Sequence, residues 1–187
     1  MTLTNTLTQP STINPAERDE RLERAATAWH ERITTNPSTA HLTYRVTGTG
    51  VGSVATAITA GRHEFLIDER EALAGDDEAA SPVEFALGAV ISCQIVVYRL
   101  YAKALGIPFD DITVVAEGDL DARRLFGIDE TVRAGFNAVR LSVTLTGPET
   151  SERYNELRDA VDAHCPVLDL FANPTPVTVS VTAREAS

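Results

Sequence analysis

Ser81-Pro82-Val83-Glu84-Phe85-Ala86-Leu87-Gly88-Ala89-Val90-Ile91-Ser92-Cys93 opens the segment on which the fold turns. Ser81 is a good N-cap, Pro82 suits the first helical position, and Glu84 completes a capping box. No charged residue falls between Glu84 and Arg99, and the pattern predicts a helix to Leu105, stopped by Gly106 and Pro108. It is apolar nearly all round, which predicts burial on every side as a central core helix. Its uncharged run is shorter than the roughly 18 residues a membrane span needs.

Upstream, Leu42, Tyr44 and Val46 alternate with polar residues, Gly48, Gly50 and Gly52 interrupt, and Val54, Thr56 and Ile58 resume. Gly61-Arg62 then turns the chain into His63 to Ile67, completing a predicted three-strand meander. Asp68 to Ser81 is acidic and reads as a solvated loop. Downstream, Ile112, Val114 and Ala116 predict one strand, and Val139, Leu141, Val143 and Leu145 another. The charged stretch Gly118 to Phe136 between them reads as an excursion or flap. A helix from Thr150 or Ser151 carries Tyr154, Leu157, Ala160, Val161 and His164 on one face and runs into Cys165-Pro166-Val167. Val177, Val179 and Val181 alternate as a final strand. Strand groups and helices do not strictly alternate, so the class is α+β, in the order βββ-α-ββ-α-β.

At the N-terminus the first dozen residues, rich in Thr, Asn, Ser and Pro, are expected to be poorly ordered. Asn14-Pro15-Ala16-Glu17 starts a helix whose Leu22, Ala25, Ala26, Trp29 and Ile33 form one apolar stripe, expected to dock on the domain. Residues 1–40 therefore read as a partly disordered extension with one amphipathic helix, and 41–187 as the domain.

The 187 residues are 43% hydrophobic, enough for one domain with a substantial core, and carry a formal charge of −11. That charge argues against nucleic acid or an anionic membrane as partner. Met1 to Pro10 lacks the basic and apolar regions of a signal peptide, and a cytoplasmic protein is expected. No metal or cofactor site is read: His30, His41 and His63 fall in no ligand pattern.

Chemistry is left to two cysteines. Cys93 shares its helical face with Ala86, Ala89, Val90, Val96, Val97 and Leu100, a wholly apolar stripe. Read alone, it is a buried small hydrophobe whose pKa is raised by its setting. Cys165, at a helix end before Pro166, is expected to be reachable from solvent.

The quoted segment resembles the core helix of the OsmC/Ohr family, in which a proline eleven residues ahead of a cysteine opens the helix. Cys165-Pro166-Val167 resembles the family's second cysteine motif, and Glu117-Gly118-Asp119-Leu120 its post-helix strand. Order and spacing agree from about Leu42 to Val181, and the Asn14 to Ile33 helix lies outside. The resemblance implies an intertwined homodimer with two long central helices and active sites at the interface. It implies a thiol peroxidase acting on organic hydroperoxides and hydrogen peroxide, with Cys93 peroxidatic, Cys165 resolving and a dithiol as reductant.

A thiolate is the nucleophile, and the apolar stripe opposes its formation, so a cation must come from elsewhere in the fold or from the other subunit. In the family this is an arginine ahead of the core helix. Arg70 is the candidate here and Arg62 the second, whereas Arg99 points about 120° away from Cys93 on the helix. The family's best-known branches anchor that arginine with a glutamate ten residues before the cysteine, where this chain has Val83. Glu84 lies about 180° from the Cys93 face, which leaves it the capping box; Asp68 or Glu69 remains to orient the arginine. The competing expectation is a non-enzymatic dimer of the same fold that binds a small molecule or senses redox state. A thiol acyl-transferase is disfavoured by the absence of an acid/base partner for Cys.

Overall fold

The computed structural model describes residues 13–184. The expected disorder of the first dozen residues lies outside them. Pro15–Thr35 forms α1, with Asn14 as its N-cap. Val46–Val51, Ala55–Ala60 and His63–Ile67 form β1, β2 and β3, an antiparallel meander in that order. Pro82–Leu105 forms α2, followed by β4 (Asp111–Leu120) and β5 (Phe136–Thr146), which pair antiparallel as a separate two-stranded sheet. Ser151–His164 forms α3 and Pro166–Ala172 forms α4.

The α+β class and the central helix stand as read. In α2, Ser81 caps with its side chain, Glu84 completes the box, and Gly106 ends the helix in the left-handed region at φ 63°. With 24 residues, α2 is long and apolar enough by itself to cross a bilayer. It is instead the central element of a folded domain, packed on α3, β4 and α4. The core joins Val97, Tyr98 and Ala102 of α2 to Ile107 and Phe109 after it, Leu157 and Val161 of α3, and Cys165.

Four expectations need correction. First, α2 is covered along one side only: Val90, Gln94, Val97 and Tyr98 are buried, while Ala89, Ser92 and Val96 on the other side lie open. Second, Val177, Val179 and Val181 do not form a strand; the segment follows no sheet edge and each valine is more than 80% exposed. Alternation records a preference for a half-buried pleated surface, which one chain does not provide here. Third, Gly48 and Gly50 lie inside β1 and do not break it, and Leu42 and Tyr44 precede it. Gly48 sits opposite Ile58, and a Cβ there would stand 3.0 Å from the Ile58 methyl, a tight contact that the Ile58 and Thr56 side chains would have to yield to. Fourth, the acidic loop is not uniformly solvated. Asp68 is buried and its Oδ2 accepts from the Asp76 and Glu78 amides, each at 3.1 Å, folding the loop around a carboxylate.

The flap is shorter than expected, because the β4–β5 ladder extends through Gly118 to Phe136. Its loop is tied by Arg123, which bonds Asp121 and Asp129. At the N-terminus, α1 meets α2 through its first half, with Leu22 half-buried and Glu23 paired to Lys103 at 3.4 Å. The rest of its stripe, Ala25, Ala26, Trp29 and Ile33, is exposed, so the helix docks by one end and not along its length.

Two outcomes follow from this core. Leu157 is fully buried, and Leu157→Ala should cost about 2–5 kcal/mol in a urea melt. Burial, with Asp162 nearby, pushes the Tyr98 phenol up to about 12. One of the four tyrosines should therefore ionise last in an ultraviolet titration, and Tyr98→Phe should abolish that step. Because the folded pKa is raised, the neutral phenol stabilises the fold fully below the unfolded value of about 10. That contribution is lost as pH rises towards 12.

Candidate active site

The two cysteines, 72 positions apart in the chain, are brought together by the junction between α3 and α4. Cys165 is the C-cap of α3 and the N-cap of α4. Pro166 holds it in extended conformation (φ −86°, ψ 108°) and then supplies the first position of α4. Beyond it α4 packs against α2, as α3 does. Cys93 packs against the cluster that contains Cys165, and the Val167 amide, in the first turn of α4, donates towards the Cys93 sulfur.

Their accessibilities invert the expectation. Cys165 is only 2% exposed, whereas Cys93 is half-buried. The apolar stripe of α2 is divided lengthwise: Val90 and Val97 on one edge are covered, Ala89 and Val96 on the other face solvent, and Cys93 lies between. Cys165 is enclosed because α3 and α4, on either side of it, both pack on α2.

Both thiols are free. Burial pushes the Cys93 pKa up from its ordinary value; the Val167 amide pulls it down, and the Cys165 thiol adds to the rise. No cation contributes within a single chain. Arg70 is exposed and forms an ion pair with Glu84 at 3.1 Å. Nine residues of helix place Glu84 about 13 Å along the axis from Cys93 and on the opposite face, so Arg70 does not stand beside the thiol of its own chain. Arg62 lies exposed in the β2–β3 turn. Arg99 is directed at Phe109, 5.6 Å from the ring centre.

Glu84 does more than cap. Its Oε2 accepts from the Ser81 amide and hydroxyl at 2.8 and 2.7 Å, while Oε1 receives Arg70. The Ser81 hydroxyl and amide, then Arg70, hold its pKa below the usual range. The orienting carboxylate is thus Glu84 and neither Asp68, which is occupied by its loop, nor Glu69. Reading the capping glutamate as having one oxygen to spare would have found it.

Sequence reading also missed a cleft of about 450 Å³ between β5 and α4, lined by Val139, Leu168 and Phe171, with Arg133 and Asn137 on its wall. Its α2 side is Val90, one helical turn before Cys93. Among the described residues no three His, Cys, Asp or Glu side chains gather as a metal site.

Comparison with known proteins bears on this arrangement. A family model described as OsmC-like protein matches residues 75–180, more than half of the chain. Comparison with the curated proteins gives no match. Among solved structures, an OsmC-like protein from Mycoplasma pneumoniae superposes with a TM-score of 0.62 at 15% identity, covering 70% of this chain and 88% of its own. An organic hydroperoxide resistance protein OsmC from Legionella pneumophila gives 0.54 at 21% identity, covering 70% and 89%. An organic hydroperoxide resistance protein from Elizabethkingia anophelis gives 0.54 at 22% identity, covering 70% and 88%. With the fold shared and the family model spanning both cysteines, this chain belongs to the OsmC-like protein family.

Proposed function

We propose that this protein is a thiol peroxidase that reduces organic hydroperoxides and hydrogen peroxide, with Cys93 as the peroxidatic and Cys165 as the resolving residue. The observation that carries the reading is the convergence of the two thiols, one half-buried and one enclosed, from distant parts of the chain. Two of the similar structures are those of organic hydroperoxide resistance proteins, which supports the substrate class.

In this reading the Cys93 thiolate attacks one peroxide oxygen. An S–O bond forms, the O–O bond breaks, and the departing alkoxide takes a proton to become an alcohol. Cys93 is left as a sulfenic acid. The Cys165 sulfur then attacks Cys93, an S–S bond forms, and the sulfenic oxygen leaves as water. A dithiol reductant reopens the disulfide by exchange. In this reading Cys165, sealed from solvent, meets the sulfenic acid before a second peroxide does.

The thiolate needs a cation that its own chain does not bring. We assign that role to Arg70 of a second subunit, held in place by Glu84, in a homodimer that covers the open side of α2. Ala89, Val96 and the exposed length of β1 support a second copy as that cover. A domain spanning 41–187 with α1 appended fits the same assembly.

The full-length protein should consume cumene hydroperoxide when supplied with dithiothreitol. Cys93→Ser should be inactive and Cys165→Ala should stall after one turnover without the dithiol. Arg70→Gln should slow the reaction about tenfold or more at pH 7, since an opposite charge moves a thiol pKa by about one to three units. Absence of consumption by freshly reduced protein would overturn the reading. A second measurement separates it from a redox-sensing or binding dimer, a role that the upward shift of Cys93 favours. Iodoacetamide labelling should show Cys93 ionising below the ordinary free-thiol value of about 8.5 in the dimer. Labelling only above that value would favour the sensor.

A further inference from the structure

On the far side of α2 from the family motif's opening turn, a cleft of about 290 Å³ lies between α1 and the last turns of the central helix. Its α1 wall precedes residue 75 and so lies outside the family match. Arg18 and Asp19 come from α1, Arg99 and Lys103 from α2. Leu22, Pro108 and Phe109 supply apolar surface, and the Phe109 ring already holds the Arg99 guanidinium.

The charges here are incompletely answered. Lys103 is paired with Glu23 at 3.4 Å. Arg18 meets Asp19 only at 3.7 Å, beyond hydrogen-bonding distance, and its Nε is buried with no hydrogen-bond partner. Burial, then the Arg18 charge, pull the Arg99 pKa below its ordinary value, and Asp111 and Asp19 oppose them only in part. Two guanidiniums therefore converge on one small space, in a chain that has carboxylates to spare and a formal charge of −11. Buried donors are ordinarily satisfied, and guanidiniums take planar oxyanions through paired N–H donors.

We propose that this cleft binds a small organic carboxylate, its oxygens held between Arg18 and Arg99 and its apolar body against Leu22, Pro108 and Phe109. The charge count selects a monoanion. Arg18, Arg99 and Lys103 face Asp19 and Glu23, an excess of one positive charge, and Asp111 offsets part of it from outside the cleft lining. The occupant joins α1 to α2 at the end where α1 docks, and so clamps a helix that buries no residue of its own. The site is independent of the two cysteines and of the peroxidase reading.

Calorimetric titration of the full-length protein with sodium benzoate tests this, with benzamide as the uncharged isostere and inorganic phosphate as the competing anion. Benzoate should bind saturably, one per chain, and benzamide should not. Arg18→Gln and Arg99→Gln should each weaken benzoate about tenfold or more, the scale of a charged hydrogen bond. Asp19→Asn, which removes the resident carboxylate, should strengthen it, and Arg133→Gln should leave it unchanged. Circular dichroism establishes that each variant is folded, and the Asp19→Asn gain does not depend on any loss of structure. Absence of saturable benzoate binding, binding untouched by both arginine variants, or tighter binding of phosphate than of benzoate would overturn the proposal.

Discussion

A helix that is apolar on every face has to be covered on every face, and α2 is covered on one. α3, β4 and α4 enclose the side bearing Val90, Gln94, Val97 and Tyr98, and the opposite side, with Ala89, Ser92 and Val96, stays open. Each aliphatic side chain taken out of water contributes about 1.5–3 kcal/mol, so the open side is a standing free-energy incentive for association. The same incompleteness recurs in β1, exposed along its length, and in the valines after α4. The proposed second copy answers all three at once, which is why the dimer and the chemistry are best considered together.

Cys93 lies on the seam between the covered and uncovered halves of α2, and its reactivity depends on what completes that seam. Within one chain its surroundings are a buried apolar wall, a neutral thiol and one amide donor, and burial prevails. The Arg70–Glu84 pair is exposed, and such pairs contribute at most about 1 kcal/mol to stability. Its value is geometric: Glu84 is itself fixed by Ser81, so the guanidinium is held at the mouth of α2 and does not wander in solvent. The enclosure of Cys165 gives the same seam a shielded second sulfur.

α1 obeys a different logic. It contributes no buried residue, and its contact with the domain is made by charges at one end of the stripe. Arg18 and Arg99 crowd together where a helix held by packing alone would present aliphatic side chains. A cleft with converging guanidiniums and an apolar floor has the composition of a small-molecule site, and it is built from an element the family match does not include.

Local features were legible in the sequence because their causes are local. The N-cap, proline and capping glutamate around Ser81, the stop at Gly106, the meander, and the helix leading into Cys165 depend on residues within a few positions of one another. The pairing of Cys93 with Cys165 entered through resemblance, since no short-range rule joins residues so far apart. Which side of an all-apolar helix is covered, which thiol is sealed, and which carboxylate meets Arg70 were decided only in three dimensions. Periodicity states what kind of surface a residue needs, while the surface itself is supplied by remote segments. For Val177, Val179 and Val181 that surface is not part of the same chain.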